Sequence, residues 1–214
     1  KEIKNQRGVT VNDVVLALCA GALRRYLEER RELPADPLVA MVPVSVRSDD
    51  ERGSGGNLVS AMLVSLATEV AEPRARLRAI RDAARSSKTA LRAVGARTLV
   101  GSAELLPFAL SGLAVRLYSR LALAERHRPM FNLVITNVPG PPRRLSIGGA
   151  EMLSYVGGAP VFDGLGLILP VLSYAGTVSI GVTADRAILG DAAGFAGRLE
   201  AALGGLERAV GVTV

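Results

Sequence analysis

Asn132-Leu-Val-Ile-Thr-Asn-Val-Pro-Gly-Pro-Pro-Arg143 is the stretch on which the reading of this chain turns. Leu133 to Thr136 is rich in β-branched residues, which pack well on a pleated surface, so a buried strand is expected over Phe131–Asn137. Pro139, Pro141 and Pro142 have no backbone N–H to donate, so the strand should stop at Asn137 and the chain turn away. A core strand that ends so abruptly is either followed by a rigid surface turn or placed to present Thr136 and Asn137 at a site.

Outward from this strand, the C-terminal third alternates strand candidates with turn residues. Arg144–Ile147, Glu151–Val156, Gly166–Tyr174 and Thr177–Asp185 read as strands, with Gly176 marking a hairpin between the last two. Asp191–Ala209 reads as an amphipathic helix capped by Asp191. Upstream, Thr10 or Asn12 can cap a helix running to about Arg31, with Asp13 in its first turn. Leu38–Arg47 is strand-like; Pro43 inside it implies an edge position or a bulge. Ser48–Gly56 is a charged, glycine-rich loop, and Asn57–Thr68 a second strand. Glu72–Val94, with arginines at 74, 76, 78, 81 and 85, is a basic amphipathic helix. Leu99–Leu123 is a more apolar helical region. The order of elements predicts an α+β fold with one mixed sheet flanked by helices.

The chain has 214 residues, 49% of them hydrophobic, enough for a core of ordinary size. No apolar run approaches the roughly 18 residues of a spanning helix. The first seven residues carry charges without an apolar run, unlike a secretion signal, and the missing initiator Met suggests a fragment. A single cysteine, Cys19, excludes an internal disulfide, fits a reducing cytosol and reads as a small buried hydrophobe. The net charge of +6 comes with only 4% aromatic residues, which disfavours nucleic acid. Anionic phosphate on a small ligand, an anionic membrane surface and a solvated basic face remain as readings of that charge.

Little complete chemistry is visible. The one histidine, His127, sits among charged residues before a proline and reads as an exposed helix end. One Cys and one His cannot make a zinc site, so no metal is expected. There is no G-x-x-x-x-G-K-[ST] loop and no G-x-S-x-G elbow. A general base suited to neutral pH is not evident.

An ordered set of short motifs says more. It comprises Val11-Asn-Asp-Val-Val, Val42-Pro-Val-Ser-Val-Arg47 followed by Gly56-Asn57, Thr136-Asn-Val-Pro-Gly-Pro141, Leu172-Ser-Tyr-x-Gly176 and Val182-Thr-Ala-Asp185. From about Val9 to about Val210, the chain resembles the C-terminal half of bacterial wax ester synthase/diacylglycerol acyltransferases. The resemblance implies a chloramphenicol-acetyltransferase-like lobe, residues 1–214, from a two-lobed acyl-CoA-dependent O-acyltransferase. Acyl-CoA would be a co-substrate, with no cofactor, and the acceptor a diacylglycerol or a fatty alcohol. The family's base is the second His of an H-H-x-x-x-D-G motif on the N-terminal lobe, which this chain does not contain. Phe162-Asp-Gly164 lacks the histidines and is not that motif.

The same resemblance nominates site residues. Asn12, Asp13, Thr136 and Asn137 would support the active-site wall or an oxyanion rather than transfer protons. Pro139 and Gly140 would shape the turn. Arg47 would meet a CoA phosphate or pair with Asp49 or Asp50, and Asn57 matches the family pattern beside it. Ser173 and Tyr174 would line or support the tunnel. The apolar residues of Leu99–Leu123 suggest peripheral contact with a membrane or lipid droplet, or packing against the lobe itself. The location expected is cytoplasmic, on the inner membrane face or on lipid inclusions. The alternative function is a non-catalytic, condensation-like binding or assembly lobe.

Overall fold

The computed structural model describes residues 2–45, 59–94 and 129–212. Arg47, Asn57, His127, the Ser48–Gly56 loop and the Leu99–Leu123 region lie outside them.

A short helix, α1 (Glu2–Arg7), precedes the long α2 (Val11–Glu29). Thr10 caps α2: the Asp13 N–H donates to Thr10 Oγ1 (3.1 Å) and the Thr10 N–H to Asp13 Oδ2 (2.7 Å). This reciprocal pair satisfies two donors that the helix start leaves open. Leu16, Cys19 and Ala20 are fully buried on α2. Burial pushes the Cys19 thiol up to about 12, so it stays protonated and inert.

Strands β1 (Val39–Ser45) and β2 (Val59–Ser65) form an unbroken antiparallel pair. Helix α3 (Pro73–Val94) follows, with Pro at its first position and the Glu72 carboxylate accepting from the Arg74 and Ala75 N–H groups. Arg76 is 6% exposed and donates to the carbonyls of Val70 and Ala71; desolvation holds its pKa below the ordinary arginine value.

β3 (Leu133–Pro139) is followed by the two-residue strands β4 (Ser146–Ile147) and β5 (Ala150–Glu151), then β6 (Leu167–Tyr174), β7 (Thr177–Ile180) and β8 (Thr183–Ala184). The main sheet runs β2-β1-β3-β6-β7, with β8 also on β6. β1, β3 and β6 are parallel and the other pairings antiparallel, so the sheet is mixed as expected. The last helix, α4 (Ala192–Val210), is capped by Asp191, whose Oδ1 accepts from the Gly194 N–H at 2.8 Å.

The core lies between one face of the sheet and α2, α3 and α4. Alternate residues Ala40, Val42, Leu133, Ile135, Leu169 and Val171 point into it, together with Leu16, Ile80 and Phe195. On the opposite face, among the described residues, Val134, Leu165 and Ile168 form a smaller cluster beneath Phe131, Ala159 and Val161.

Four expectations need correction. β1 is internal rather than an edge strand; its ladder with β3 runs only through Ala40 and Met41, so at Pro43 the missing N–H costs no ladder bond on that side. For the same reason β3 continues past Asn137, pairing as far as Pro139 with Ser173. The strand expected over Glu151–Val156 shrinks to its first residue, paired within the β4–β5 hairpin. The segment expected as one strand over Thr177–Asp185 splits around Gly181, because Pro170 in β6 has no N–H to continue the ladder. Gly181 still donates to the Pro170 carbonyl (2.8 Å).

Candidate active-site wall

The parallel strands β1, β3 and β6 all finish at one end of the sheet, and the α2 N-terminus arrives at the same end. The Asn137 Nδ2 donates to Asn12 Oδ1 at 3.3 Å. The strand pleat explains the meeting: Asn137 shares the helix-covered face with Leu133 and Ile135, so it points toward the helix layer. Two residues 125 positions apart thus form a half-buried amide pair that uses one of the two Nδ2 hydrogens.

Thr136 takes the other face of the same strand, with Val134. It does not join the asparagine pair, and its Oγ1 accepts a long bond (3.4 Å) from the Val171 N–H. Asp13, 5% exposed, is engaged in the α2 cap described above. Of the four residues nominated for chemistry, the fold therefore joins Asn12 to Asn137 and separates Asp13 and Thr136 from that pair.

The turn after β3 is locked to the end of β6. The Gly140 N–H donates to Ser173 Oγ (3.2 Å) and the Ala175 N–H to the Pro141 carbonyl (3.0 Å). A Cβ at position 140 would stand 2.1 Å from the Ser173 carbonyl oxygen, so only glycine fits. Pro139 is exposed just before it. Ala175 and Gly176, at φ 46° and 89°, form the two-residue turn from β6 into β7, the positive-φ geometry that matches strand twist.

Tyr174 is buried, and its hydroxyl has two tasks. It accepts from the Leu145 N–H and donates to the Met152 carbonyl, both at 2.8 Å. These bonds tie β6 to both ends of the β4–β5 hairpin, which is also braced by Arg144 on Glu151 (2.6 Å). That carboxylate holds the exposed Arg144 guanidinium above its usual pKa. Tyr174→Phe should cost about 2 kcal/mol and free the hairpin. Denaturant unfolding and amide exchange at residues 144–152 would detect it; unchanged exchange would remove the anchoring role.

Two contacts were not anticipated. Gly157 lies across β6 and β7, its carbonyl 2.3 Å from where a Cβ on Gly181 would be. An isolated glycine in a strand pattern, as at Gly181, is the signal for such a close backbone approach. Asn132 starts β3 by accepting from the Val39 N–H through Oδ1 and donating its own N–H to the Val39 carbonyl, both at 2.8 Å.

Residues 55–207 match the model of the WS/DGAT C-terminal domain. The chain belongs to that family. A solved relative of this WS/DGAT domain, the wax ester synthase/diacylglycerol acyltransferase from Marinobacter aquaeolei VT8, is 34% identical with a TM-score of 0.77. The match covers 99% of this chain and 46% of that one. A putative diacylglycerol O-acyltransferase of Mycobacterium tuberculosis is 42% identical over 214 residues, 99% of this chain and 46% of its own. The O-acyltransferase WSD of Acinetobacter baylyi is 36% identical over 186 residues, 87% of this chain and 39% of its own. The WS/DGAT domain thus spans about half the length of the curated relatives it matches. The expected fold class holds: α+β, a mixed sheet flanked by helices, in a chloramphenicol-acetyltransferase-like lobe.

Among the described residues of this WS/DGAT domain, no helix is long and apolar enough to cross a membrane. Several large apolar side chains are nevertheless exposed. Ile147 and Leu153 are 83% and 85% exposed, with Val156 and Phe162 also exposed.

Proposed function

We propose that residues 1–214 form one wall of an acyl-CoA-dependent O-acyltransferase that esterifies a diacylglycerol or a fatty alcohol, giving triacylglycerol or wax ester. The Asn12–Asn137 pair, held where β3 ends and α2 begins, is the observation that carries this reading. In the reaction the acceptor hydroxyl attacks the thioester carbonyl, a tetrahedral oxyanion forms, and the CoA thiolate leaves as the ester is completed. The base that takes the hydroxyl proton belongs to an N-terminal lobe carrying His-His-x-x-x-Asp-Gly. That lobe covers the exposed apolar side chains at Ile147, Leu153 and Phe162. Preorganised amide donors such as Asn137 then stabilise the charge that develops on the thioester oxygen. Thr136 faces the other side of the sheet, and Gly140, Ser173 and Tyr174 hold the wall in place. Arg47, which follows β1 in the sequence, and Asn57, which precedes β2, are assigned to the CoA side, and Leu99–Leu123 to contact with the inner membrane face or lipid inclusions. No cofactor takes part.

The test is transfer of labelled palmitate from palmitoyl-CoA to diolein or hexadecanol by the two-lobed protein. Ester formation that disappears when the second histidine of the motif becomes alanine supports the reading. Binding of acyl-CoA without any ester would instead make this a binding or assembly lobe.

A further inference from the structure

An apolar groove of about 610 Å³ runs between α1, the first turns of α2, β7 and α4. Its floor includes Ile3 and Leu199, and its walls include Val14 and Leu18. Val11, Val178 and Leu203 also line it and are 38%, 44% and 38% exposed, so apolar surface is left uncovered. The volume is that of a small-molecule pocket.

The groove ends close to the asparagine pair, lined by Val11 and Ile180 but not by Asn12 or Asn137 themselves. Asn137 sits opposite Val171, and Val171 opposite Ile180, so the three side chains form one row on the helix-covered face. Ile180 lines the groove, two strand spacings or about 10 Å from Asn137. On α2, Val11 at the groove wall directly precedes Asn12.

Its rim selects the ligand. Glu2, Glu200 and Glu207 border the groove against a single Lys4, an acidic margin on a chain whose net charge is +6. Such a margin repels a carboxylate or a phosphate and accepts an alkyl chain with an uncharged end. We infer that this groove binds the long alkyl chain of the uncharged, hydroxyl-bearing acceptor, its hydroxyl directed toward Asn12. This deepens the acyltransferase reading and rests on it. The acyl-CoA, with its anionic head, lies elsewhere.

The experiment uses the full two-lobed protein and hexadecanol carrying a photoreactive diazirine near its chain end. Labelled peptides should fall within 11–18, 177–180 and 196–203. Each methylene kept from apolar contact is worth about fourfold in affinity, so Leu203→Trp should reduce labelling and raise the KM for hexadecanol roughly tenfold. The KM for palmitoyl-CoA should not change. Unlabelled hexadecanol and diolein should compete, and their relative potency tells which supplies the chain; palmitate should compete poorly. Palmitate competing as well as hexadecanol, or label falling only outside the groove while transfer proceeds, overturns the groove assignment and leaves the acyltransferase reading intact. Label in the groove without transfer to any acceptor supports the groove and sinks the acyltransferase reading.

Discussion

Gly140→Ala is expected to lower the unfolding free energy by about 3 kcal/mol, the upper end of the cost of forcing an extra carbon into packed structure. The added methyl would meet the Ser173 carbonyl at 2.1 Å, a backbone atom that cannot rotate aside. The loop or the end of β6 would have to move, breaking the Gly140–Ser173 and Ala175–Pro141 bonds together. Gly158→Ala is the control: nothing stands within 4 Å of a Cβ there, so its midpoint should hold or rise slightly. Urea titrations of both variants decide the matter. If Gly140→Ala unfolds within about 0.5 kcal/mol of the parent, the close approach described here is not a constraint on the fold.

Under the proposed acyltransferase mechanism, Asn137→Ala in the full-length protein should reduce kcat by about a hundredfold, the usual loss when one preorganised donor to an oxyanion is removed. Stability should fall by only about 1 kcal/mol, since the bond lost to Asn12 is long and half-buried. Asn12→Ala should act through the same pair, so the double variant should be scarcely slower than the worse single one. Steady-state kinetics of the three variants, with unfolding measured alongside, separate chemistry from folding. An unchanged kcat in Asn137→Ala would exclude this side chain from the reacting centre.

Local signals in the sequence carried much of this architecture. The cap at Asp191, the basic helix from Glu72 and the turn at Gly176 depend on residues a few positions apart, where propensity and hydrogen bonding act directly. Pro43 and Pro139 were misjudged because the cost of a missing N–H depends on whether a neighbour strand reaches that point. The β1–β3 ladder stops at Met41 and Val134, a fact set by how the strands splay rather than by either proline. α1 was not expected because six residues are too few for a periodic signal; Ile3 in the core and the contact with α4 hold it. At the site, the motifs pointed to Asn12 and Asn137 separately. Their meeting, and the placement of Thr136 on the opposite face, follow from register and pleat. For Tyr174, expected to line or support the tunnel, the fold supplies two backbone partners for its hydroxyl, Leu145 and Met152, which no local signal in the sequence announces.

The Arg7 guanidinium donates to the carbonyl of Val210, which closes α1 onto the far end of α4 across 203 residues. The sheet is threaded in the same spirit: β2 and β1 are made early, while β3, β6 and β7, which complete it beyond β1, are made late. A nascent chain can therefore form α2, β1, β2 and α3 before the strands that complete the sheet exist. Loop closure over such distances is slow, and apolar faces such as Leu16 and Cys19 on α2 stay open to wrong partners meanwhile. Synthesis at the ribosome must run almost to the end of this domain before its core can shut. The interval of greatest exposure to aggregation is thus written into the strand order itself.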